Sequence, residues 1–341
     1  GTSHNECNGR FMLTFANIDS VRLTTPSCLT IGNFDGLHRG HQMLLQHLKR
    51  VANSGDDGRW PQPLQSGFIT FAPHPLAVLR PEQPHWLLTT PEERLQLAAA
   101  EGIDFGIIHA FTRATAALTA AEFIGLLKHH LQLAALVVGP DFALGKGREG
   151  NLELLHSLGH ELDFTVHVIE PFEWGGLSVR SSQIRQALRE GKVNLAATML
   201  GRPYHAGGLV VQGDQRGRTI GIPTANIQTA EKKLLPADGV YATRAKVTIA
   251  DQFYYFDSVT NLGVRPTVDG LHRRLEVHLF DFPPAPSTTV VPAQIETGDI
   301  YGCVLTIEFI ERLRGEMRFN GLEALVAQIR KDMAEARNVL G

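Results

Sequence analysis

The sequence has little cysteine, no excess of charge of either sign and no long apolar run, and each shortage excludes a class of protein. Its three cysteines, Cys7, Cys28 and Cys303, lie far apart, so we expect neither a zinc site nor a disulfide scaffold. A net charge of -3 without a basic cluster gives no support for nucleic-acid binding. No run approaches a transmembrane length. We therefore expect a globular, cytoplasmic protein without a nucleic-acid or membrane partner.

A chain of 341 residues is long for one core, and two domains are predicted. Between about Phe11 and Gly191, strand-like runs alternate with helical patterns, which predicts βαβ units and a parallel sheet. After Tyr204, short β-rich runs predict an antiparallel barrel followed by one helix. We place the domains at residues 11–200 and 201–341. The opening GTSHNECNGR lacks an initiator Met and an apolar signal core, and we leave it out of the predicted fold.

Capping signals mark the start of several predicted helices. Thr119 has Glu122 three residues later, which is the spacing of a capping box, and Asn320 with Glu323 repeats it before the last helix. That last helix would carry an apolar stripe of Leu322, Leu325, Val326, Ile329 and Met333. The Pro/Thr-rich segment Pro283–Gly298 predicts a long, mobile surface loop.

The stretch CLTIGNFDGLHRGH, Cys28–His41, predicts a buried strand, a glycine-containing loop and a helix from about Gly40. Such a loop offers backbone N–H groups and the positive end of a helix to an anion. His38 and His41 at the helix start can donate hydrogen bonds to phosphate oxygens, while Gly40 lets a phosphate approach the backbone. We therefore predict a nucleotide-phosphate site, where aligning two anions would require no protein nucleophile.

Two further clusters lie at strand ends or helix starts of the same domain. GPDFALGKGREG, residues 139–150, follows a predicted strand and contains a lysine and an arginine. It predicts either a phosphate loop or an ordinary flexible loop. VRSSQIR supplies hydroxyl and guanidinium groups suited to phosphate from Ser181, Ser182 and Arg185. Paired serines before a helix are also common N-caps, so this cluster alone would not indicate a phosphate site. The prediction of a phosphate site depends on all three clusters lying at strand ends or helix starts of one domain.

The stretch GDQRGRTIGIPTAN predicts a phosphate loop in the second domain. Its glycines allow close approach to phosphates at Gly213, Gly217 and Gly221. Thr224 and Asn226 are two residues apart, so on a strand their oxygens point the same way and suit Mg²⁺. Glu276, in LEVHLFDF, is a candidate general base for phosphorylating an alcohol. Its alternation pattern alone favours a solvent-facing glutamate instead.

GNFDGLHRGH resembles the H-x-G-H nucleotidyltransferases. With TFAPHP, GPDFALGKGREG and SSQIR, the first domain is similar to the adenylyltransferase half of the bacterial bifunctional riboflavin kinase/FAD synthetases. The resemblance implies an α/β Rossmann-like domain with His38 and His41 as catalytic histidines. It implies that ATP is bound by Gly32, Asn33, Phe34, Gly40, Asp141, Ser181, Ser182 and Arg185. By analogy, Phe71 and His74 would border the flavin, although a core phenylalanine and a turn histidine are alternatives. Arg180 departs from the family pattern, which has serine there.

GxxxGRxxGxPTAN is present without gaps, and NLGVRPT, LEVHLFDF, DIYG and RLRGEMRF follow in order. These segments resemble riboflavin kinases. The resemblance implies a six-stranded Greek-key barrel with a C-terminal helix, in which Thr224 and Asn226 hold Mg²⁺ and ATP phosphates and Glu276 is the base. It also implies ATP contacts from Gly213, Gly217, Arg218 and Gly221, and flavin binding by Arg312.

Together the resemblances imply phosphorylation of riboflavin to FMN and adenylylation of FMN to FAD and pyrophosphate. ATP would be the co-substrate and Mg²⁺ the cofactor; riboflavin, FMN and ATP would be the partners, with the oligomeric state open. Two other functions stay open: an H-x-G-H nucleotidyltransferase for a pantetheine or nicotinate nucleotide, and a flavin-binding or regulatory protein without turnover. The PTAN segment counts against the first. Intact candidate site residues count against the second: His38, His41, Thr224, Asn226 and Glu276.

Overall fold

The computed structural model describes residues 3–7, 10–174, 177–213, 221–267, 270–283 and 291–341. The predicted site residues Gly217 and Arg218 lie outside these ranges. The chain divides into two compact units, Gly1–Ser181 and Ser182–Gly341. The helices just before the predicted boundary at residue 200 therefore group with the second unit.

The first unit is built mainly from alternating strands and helices. Its described strands are β1 (Ser3–Cys7), β2 (Arg10–Phe15), β3 (Ser27–Ile31), β4 (Gln65–Ala72), β5 (Phe105–Ala110), β6 (Leu133–Val138), β7 (Thr165–Val168), β8 (Glu173–Trp174) and β9 (Leu177–Ser178). Its described helices are α1 (Arg39–Asn53), α2 (Gly55–Gly58), α3 (Pro75–Leu79), α4 (Pro91–Ala100), α5 (Arg113–Ala117), α6 (Ala120–Leu131) and α7 (Leu152–Leu162). Short 3₁₀ turns lie at Ile18–Ser20 and Lys146–Arg148.

The first seven strands form one sheet in the order β1-β2-β5-β4-β3-β6-β7. All neighbours from β2 to β7 are parallel, which confirms the predicted α/β class. Successive strand residues face opposite sides, so Cys28 packs into the cluster with α1 and α4, and Leu29 into the cluster with α6 and α7. The sheet thus has helices on both faces. β4 is added on one side of β3 and β6 on the other, so the strand order switches sides at β3. In such folds, ligands bind outside the carboxyl ends of the strands at this switch point.

The strand β1 corrects the prediction, because it comes from the opening segment that the predicted fold left out. It pairs antiparallel with β2, from Ser3 opposite Thr14 to Cys7 opposite Arg10. Strand pairing uses backbone N–H and C=O groups. The polar sequence SHNEC therefore joins the edge of the sheet without the apolar alternation by which a strand is recognised in a sequence.

The predicted capping box at the start of α6 is confirmed. The Thr119 hydroxyl accepts a hydrogen bond from the Glu122 backbone N–H (3.2 Å), and the Glu122 carboxylate accepts one from the Thr119 N–H (2.8 Å). The bond from the Thr119 backbone lowers the pKa of the Glu122 carboxyl. This local pairing directs α6 onto the sheet, beside the loop that follows β6.

The second unit contains a closed barrel, as predicted. Its described helices are α8 (Ser181–Arg189), α9 (Val193–Leu200), α10 (Ala293–Thr297) and α11 (Leu322–Leu340). Its strands are β10 (Tyr204–Val211), β11 (Ala225–Thr229), β12 (Gly239–Ile249), β13 (Gln252–Thr267), β14 (Gly270–Leu279) and β15 (Val304–Arg314). They close in the order β10-β11-β14-β13-β12-β15, with every neighbouring pair antiparallel.

The last helix, α11, begins differently from its prediction. Gly321, at a φ of 104°, is the N-cap residue, and no side chain caps this end, so the expected cap at Asn320 is wrong. Leu322 of the predicted stripe is 62% exposed, whereas Asp332 is buried. Asp332 is buried because the Arg314 guanidinium on β15 donates hydrogen bonds to both of its carboxylate oxygens. A long-range ion pair therefore orients a helix whose apolar stripe is only partly buried.

The predicted surface loop Pro283–Gly298 contains an element that its composition did not indicate. Helix α10 begins after Pro292, and its Ile295 side chain is 1% exposed. The intervening residues 284–290 lie outside the described part of the chain. Burial of one isoleucine explains how a Pro/Thr-rich segment holds a helical turn here.

Cys28 and Cys303 are free thiols, with Cys28 fully buried and Cys303 half-buried. Burial raises the pKa of the Cys28 thiol well above its usual range. Within the described ranges, no helix has both the length and the apolar character needed to cross a membrane.

Candidate active sites

The loop that follows β3, residues 32–38, forms the centre of the first candidate site. The Gly32 N–H donates to the Ile69 carbonyl on β4 (3.0 Å), which fixes the start of the loop against the sheet. Three positions then have positive φ: Phe34 (48°), Gly36 (86°) and Leu37 (39°). Such angles cost non-glycine residues roughly 1 kcal/mol each, so the loop conformation must be held by its surroundings.

The structure brings both predicted catalytic histidines together at the start of α1. His38 is the N-cap residue, and its ring stacks on the ring of His41 with centroids 3.7 Å apart. The Phe34 ring meets the His41 ring edge-on at 5.2 Å. A Cβ atom on Gly40 would lie 3.2 Å from Cε1 of His38. Glycine at this position therefore leaves space for the His38 ring, as well as exposing backbone N–H groups at the helix start.

The loop after β6 lies next to the loop after β3, because β6 and β3 are neighbours. Its glycines serve close packing: Cβ atoms on Gly145 and Gly150 would lie 2.6 Å and 2.7 Å from atoms of Ala120 at the start of α6. The Lys146 N–H also donates to the Leu118 carbonyl (2.7 Å). The loop is thus anchored on α6, which favours a shaped binding loop over an unstructured connection.

Asp141 and Arg180, the residue that departs from the family pattern, form an exposed ion pair at 3.8 Å. The Asp141 carbonyl accepts a hydrogen bond from Arg148 (2.8 Å). The Ser181 hydroxyl donates to the Asp35 carbonyl (2.8 Å), which joins the last residue of the first unit to the loop after β3. Ser182 and Arg185 lie on α8 in the second unit.

The two residues predicted to border the flavin lie at the end of β4. Phe71 is half-buried and its ring meets the ring of Phe111 edge-on, with centroids 5.5 Å apart. His74 accepts a hydrogen bond from the Leu76 N–H (3.2 Å), so it caps α3, and its ring stacks on His85 at 3.8 Å. Both side chains therefore have structural contacts in addition to any role in ligand binding.

Within and below the loop after β3 lie four buried polar residues that the sequence did not single out. Asp35, Thr70, Thr89 and Arg94 are each at most 2% exposed. Arg94 follows Pro91, Glu92 and Glu93 at the start of α4, where the sequence pattern is that of an exposed, charged helix end. No local signal marks its burial.

In the barrel, the predicted base lies next to one of the two predicted metal ligands, Asn226. Glu276 on β14 lies directly opposite Asn226 on β11 and opposite Asn261 on β13. Its neighbours Leu275 and Val277 are fully buried in the barrel, so the half-buried Glu276 points away from the core. Antiparallel partners have Cβ atoms about 5 Å apart. The barrel therefore places a carboxylate beside the Asn226 amide.

The start of the predicted phosphate loop lies against Asn226. A Cβ atom on Gly213 would be only 2.1 Å from Nδ2 of Asn226. Thr224 is half-buried one residue before β11, and the Pro223 carbonyl is 2.8 Å from Nδ1 of His278 on β14. Thr224 and Asn226 supply a hydroxyl and an amide oxygen, a donor set suited to Mg²⁺. Among the described residues, no group of three or more His, Cys, Asp and Glu could hold a metal.

A cavity of about 340 Å³ lies beside Thr224, and Gly221 and Tyr301 also contribute to its wall. The inward-facing Val277 and Leu279 line it from the barrel side. This volume is in the range of small-molecule sites. The cavity therefore brings two predicted ATP-binding residues, Gly221 and Thr224, to one binding space.

Arg312, predicted to bind the flavin, is half-buried on β15 and donates to the Asp238 carbonyl (2.6 Å). It lies opposite Tyr241 in the barrel, and burial raises the pKa of Tyr241 to about 12. The guanidinium thus supports the turn before β12.

The fold and the two sites define the class: an α/β nucleotidyltransferase-like unit joined in one chain to a closed barrel with hydroxyl, amide and carboxylate oxygens on one face. Residues 21–183 match the family model of FAD synthetase, and residues 200–340 match that of riboflavin kinase. The bifunctional riboflavin kinase/FMN adenylyltransferase of Escherichia coli K12 is 38% identical over 314 residues, which cover 92% of each chain. The protein of that description from Bacillus subtilis is 33% identical over 316 residues, or 91% of each chain.

A crystal structure from Streptococcus pneumoniae, described as a macrolide-efflux protein, matches with a TM-score of 0.78 and 29% identity, covering 96% of this chain and 99% of that one. The chain belongs to the family of bifunctional riboflavin kinase/FMN adenylyltransferases. This agrees with the predicted family resemblance.

Proposed function

We propose that this chain makes FAD from riboflavin in two steps, each consuming one ATP. The barrel phosphorylates the 5′-hydroxyl of riboflavin to give FMN and ADP. The first unit then joins AMP from a second ATP to FMN, giving FAD and pyrophosphate. The observation that carries the proposal is that one chain holds both candidate sites, with His38 stacked on His41 in one unit and Glu276 opposite Asn226 in the other.

In the kinase step, Glu276 accepts the proton of the riboflavin hydroxyl as that oxygen attacks the γ-phosphorus of ATP. The broken bond is the one between the γ-phosphorus and the β,γ-bridging oxygen, and ADP leaves. Gly213, Gly221 and the two residues outside the described ranges, Gly217 and Arg218, are proposed to contact the ATP phosphates.

Thr224 and Asn226 are proposed to hold Mg²⁺ together with the ATP phosphates, and their oxygen donors fit that ion. When bound, Mg²⁺ would neutralise charge on the phosphoryl group. The position of Asn226 beside Glu276 supports this, because base and phosphate must approach each other. Arg312 is proposed to contact the flavin from β15.

In the adenylyl transfer, an FMN phosphate oxygen attacks the α-phosphorus of ATP, the bond to the bridging oxygen breaks, and pyrophosphate leaves. His38 and His41 donate hydrogen bonds to phosphate oxygens and thereby stabilise the negative charge that develops on them in the transition state. The reaction requires no protein nucleophile. The ATP site is proposed to include Gly32, Asn33, Phe34, Gly40, Asp141, Ser181, Ser182 and Arg185. Phe71 and His74 are proposed to border the flavin.

We propose residues 11–200 and 201–341 as the two catalytic domains and the cytoplasm as the compartment. The start of the riboflavin kinase match at residue 200 supports the division. The free thiols of Cys28 and Cys303 suit a reducing compartment. Riboflavin, FMN and ATP are the proposed partners, without nucleic acid or membrane.

The test is an assay of the full chain with riboflavin, ATP and Mg²⁺, followed by chromatographic separation of the flavins. We expect FMN to appear first and FAD to follow, and both to disappear when EDTA replaces Mg²⁺. A supply of FMN instead of riboflavin should yield FAD directly. Formation of neither flavin product would contradict the proposal, and FMN without FAD would restrict it to the barrel.

Replacing Gly213 by Ala should weaken kinase activity selectively. The new methyl group would meet the Asn226 amide at 2.1 Å, so that amide must move from its place beside Glu276. We expect the apparent affinity for Mg²⁺ in FMN formation to fall about tenfold, which is typical when a residue that orients a metal ligand is changed. Titration of Mg²⁺ at fixed ATP measures this.

Gly125→Ala is the matched control, because no atom beyond the neighbouring residues and backbone of α6 itself lies within 4 Å of the added Cβ. It should leave the Mg²⁺ titration unchanged. An unchanged titration for Gly213→Ala as well would remove Asn226 from the proposed metal site.

A further inference from the structure

The buried residues Asp35, Thr70, Thr89 and Arg94, here called the Arg94 cluster, connect the loop of residues 32–38 to the interior below it. They come from three separate segments of the first unit: the loop itself, β4, and the turn and first residues of α4. All four are at most 2% exposed, and two of them carry charge. Charged pairs as deeply buried as Arg94 and Asp35 are uncommon in protein interiors.

The Arg94 guanidinium is directed at both neighbouring segments. Its Nη1 donates to the Thr70 hydroxyl (3.1 Å) and to the Phe71 carbonyl (3.3 Å) at the end of β4. Its Nη2 donates to the Thr89 carbonyl (3.0 Å) and lies 3.6 Å from the Asp35 carboxylate. A planar guanidinium has five N–H donors in fixed directions, which is what this set of acceptors requires.

The Asp35 carboxylate fixes the loop to the segment before α4. It accepts hydrogen bonds from the backbone N–H groups of Leu88 (3.1 Å) and Thr89 (2.9 Å). The Thr89 hydroxyl donates to this carboxylate (3.2 Å) and accepts from the Gly36 N–H (2.8 Å) and from Nε of Arg94 (3.3 Å). A hydroxyl has one donor and two acceptor positions, so these three hydrogen bonds occupy the full hydrogen-bonding capacity of the Thr89 hydroxyl.

The cluster also holds the opposite end of the same loop. The Thr70 hydroxyl, which accepts from Arg94, donates to the Asn33 carbonyl (3.1 Å). Arg94 is thus linked to the loop at three points. Thr70 connects its guanidinium to the Asn33 carbonyl, and Thr89 connects it to the Gly36 N–H. The guanidinium also forms an ion pair with the Asp35 carboxylate. Between these points lies Phe34, with its positive φ of 48°. His38 follows two residues after Gly36.

A buried ion pair is weak support for stability, because desolvating two charges costs several kcal/mol and apolar replacements are often neutral. The arrangement is better explained by what it orients. All of these hydrogen bonds to the loop involve residues from Asn33 to Gly36, the part of the loop that includes Phe34 with its positive φ. The loop carries the backbone N–H groups and the first of the two histidines proposed to meet the ATP phosphates.

We propose that Arg94 is a positioning residue of the adenylyltransferase site: through Asp35, Thr70 and Thr89 it holds the loop of residues 32–38 in the conformation that presents His38 and the loop N–H groups to ATP. This inference rests on the proposed role of the loop in adenylyl transfer. Arg94 itself lies in the interior below the loop and acts only through the residues that it holds.

Arg94→Lys tests the proposal, since lysine keeps the charge but cannot make the divergent hydrogen bonds of the guanidinium. At a temperature where the variant is folded, we expect kcat for FAD formation from FMN to fall about 10- to 100-fold, as for small misplacements of reacting groups. KM for ATP and FMN should change less than about 3-fold, because interactions made only in the transition state affect kcat and kcat/KM together. FMN formation from riboflavin should be unchanged.

Arg50→Met is the control, because Arg50 forms an exposed ion pair with Asp57 on the same unit. It should leave both activities unchanged. Thr89→Val is a second test that keeps both charges and removes only the hydroxyl, and it should lower kcat in the same way. Thermal unfolding of every variant, followed by intrinsic tryptophan fluorescence, shows that the measurement is made on folded protein. A wild-type kcat in folded Arg94→Lys and folded Thr89→Val would overturn the proposal.

A measurement that requires no turnover separates this inference from the proposed function. The imidazole Cε1–H resonances of His38 and His41 are assigned in the substrate-free chain by their loss in single His→Gln variants. We expect both resonances to shift in Arg94→Lys and to stay in place in Arg50→Met, whether or not the wild-type chain makes FAD. Unshifted resonances in folded Arg94→Lys would show that Arg94 does not position the histidines.

Discussion

Replacing Glu276 by Gln is expected to lower FMN formation from riboflavin by at least about 100-fold, the usual contribution of a general base. The carboxamide has almost the same volume as the carboxylate but cannot accept the proton of the riboflavin hydroxyl. Because Glu276 lies on the outer face of β14 while its neighbours fill the core, the substitution should not disturb the barrel. The measurement is the initial rate of FMN formation with saturating ATP and Mg²⁺.

The same variant should convert added FMN to FAD at the wild-type rate, because that reaction is proposed to take place in the other unit. Glu308→Gln is the matched control: Glu308 is an exposed glutamate on β15, opposite Arg244 on β12. It should keep full activity in both steps. A Glu276→Gln variant with normal kinase activity would show that the hydroxyl loses its proton by another route.

The second large effect is expected from His38→Ala and His41→Ala, each of which should reduce FAD formation from FMN by about 100-fold or more. That is the usual cost of removing one preorganised hydrogen-bond donor from a site where negative charge develops. The two rings are stacked at 3.7 Å, so removing either ring also removes support from the other. The double variant should therefore lose little more than the single ones, because the two residues act as a unit.

FMN formation from riboflavin is the internal control for these histidine variants, and its rate should be unchanged. His160→Ala, on the exposed side of α7, is the control for histidine removal within the same unit. A mixture of His38→Ala with Glu276→Gln supplied with riboflavin should make FAD again, since each chain contributes one intact site. Normal FAD formation by the histidine variants alone would contradict the assignment of the α1 start as the adenylyl-transfer site.

Much of the fold was predictable because its signals are local. The apolar run before Gly32 predicted β3, and the Thr119–Glu122 spacing predicted a capping box that the structure contains. Where a local signal competed with tertiary contacts, the prediction was wrong. Asn320 has the spacing of a cap, but the ion pair of Asp332 with Arg314 and the left-handed Gly321 set the start and orientation of α11 instead.

The candidate sites were predictable in part for the same reason. Glycines and histidines in a short loop are visible in the sequence, and His38 and His41 do meet at the start of α1. The face of Glu276 required the barrel: alternation shows that it points away from Leu275, but only strand pairing places it beside Asn226. Arg94 could not be found at all, since an arginine after two glutamates at a helix start is normally exposed.

The sequence by itself determined the order of the elements, the division into an α/β part and a barrel part, and the glycine-containing loop between β3 and α1. The order of the elements and a glycine-containing loop depend on residues within a few positions of each other, whose spacing sets the helical or strand period. Only the tertiary structure decided that β1 joins the sheet and that Arg94 and Asp35 are buried beneath the loop. Burial and strand pairing depend on segments tens of residues apart. For that reason the loop is recognisable in the sequence, whereas the residues that hold it are not.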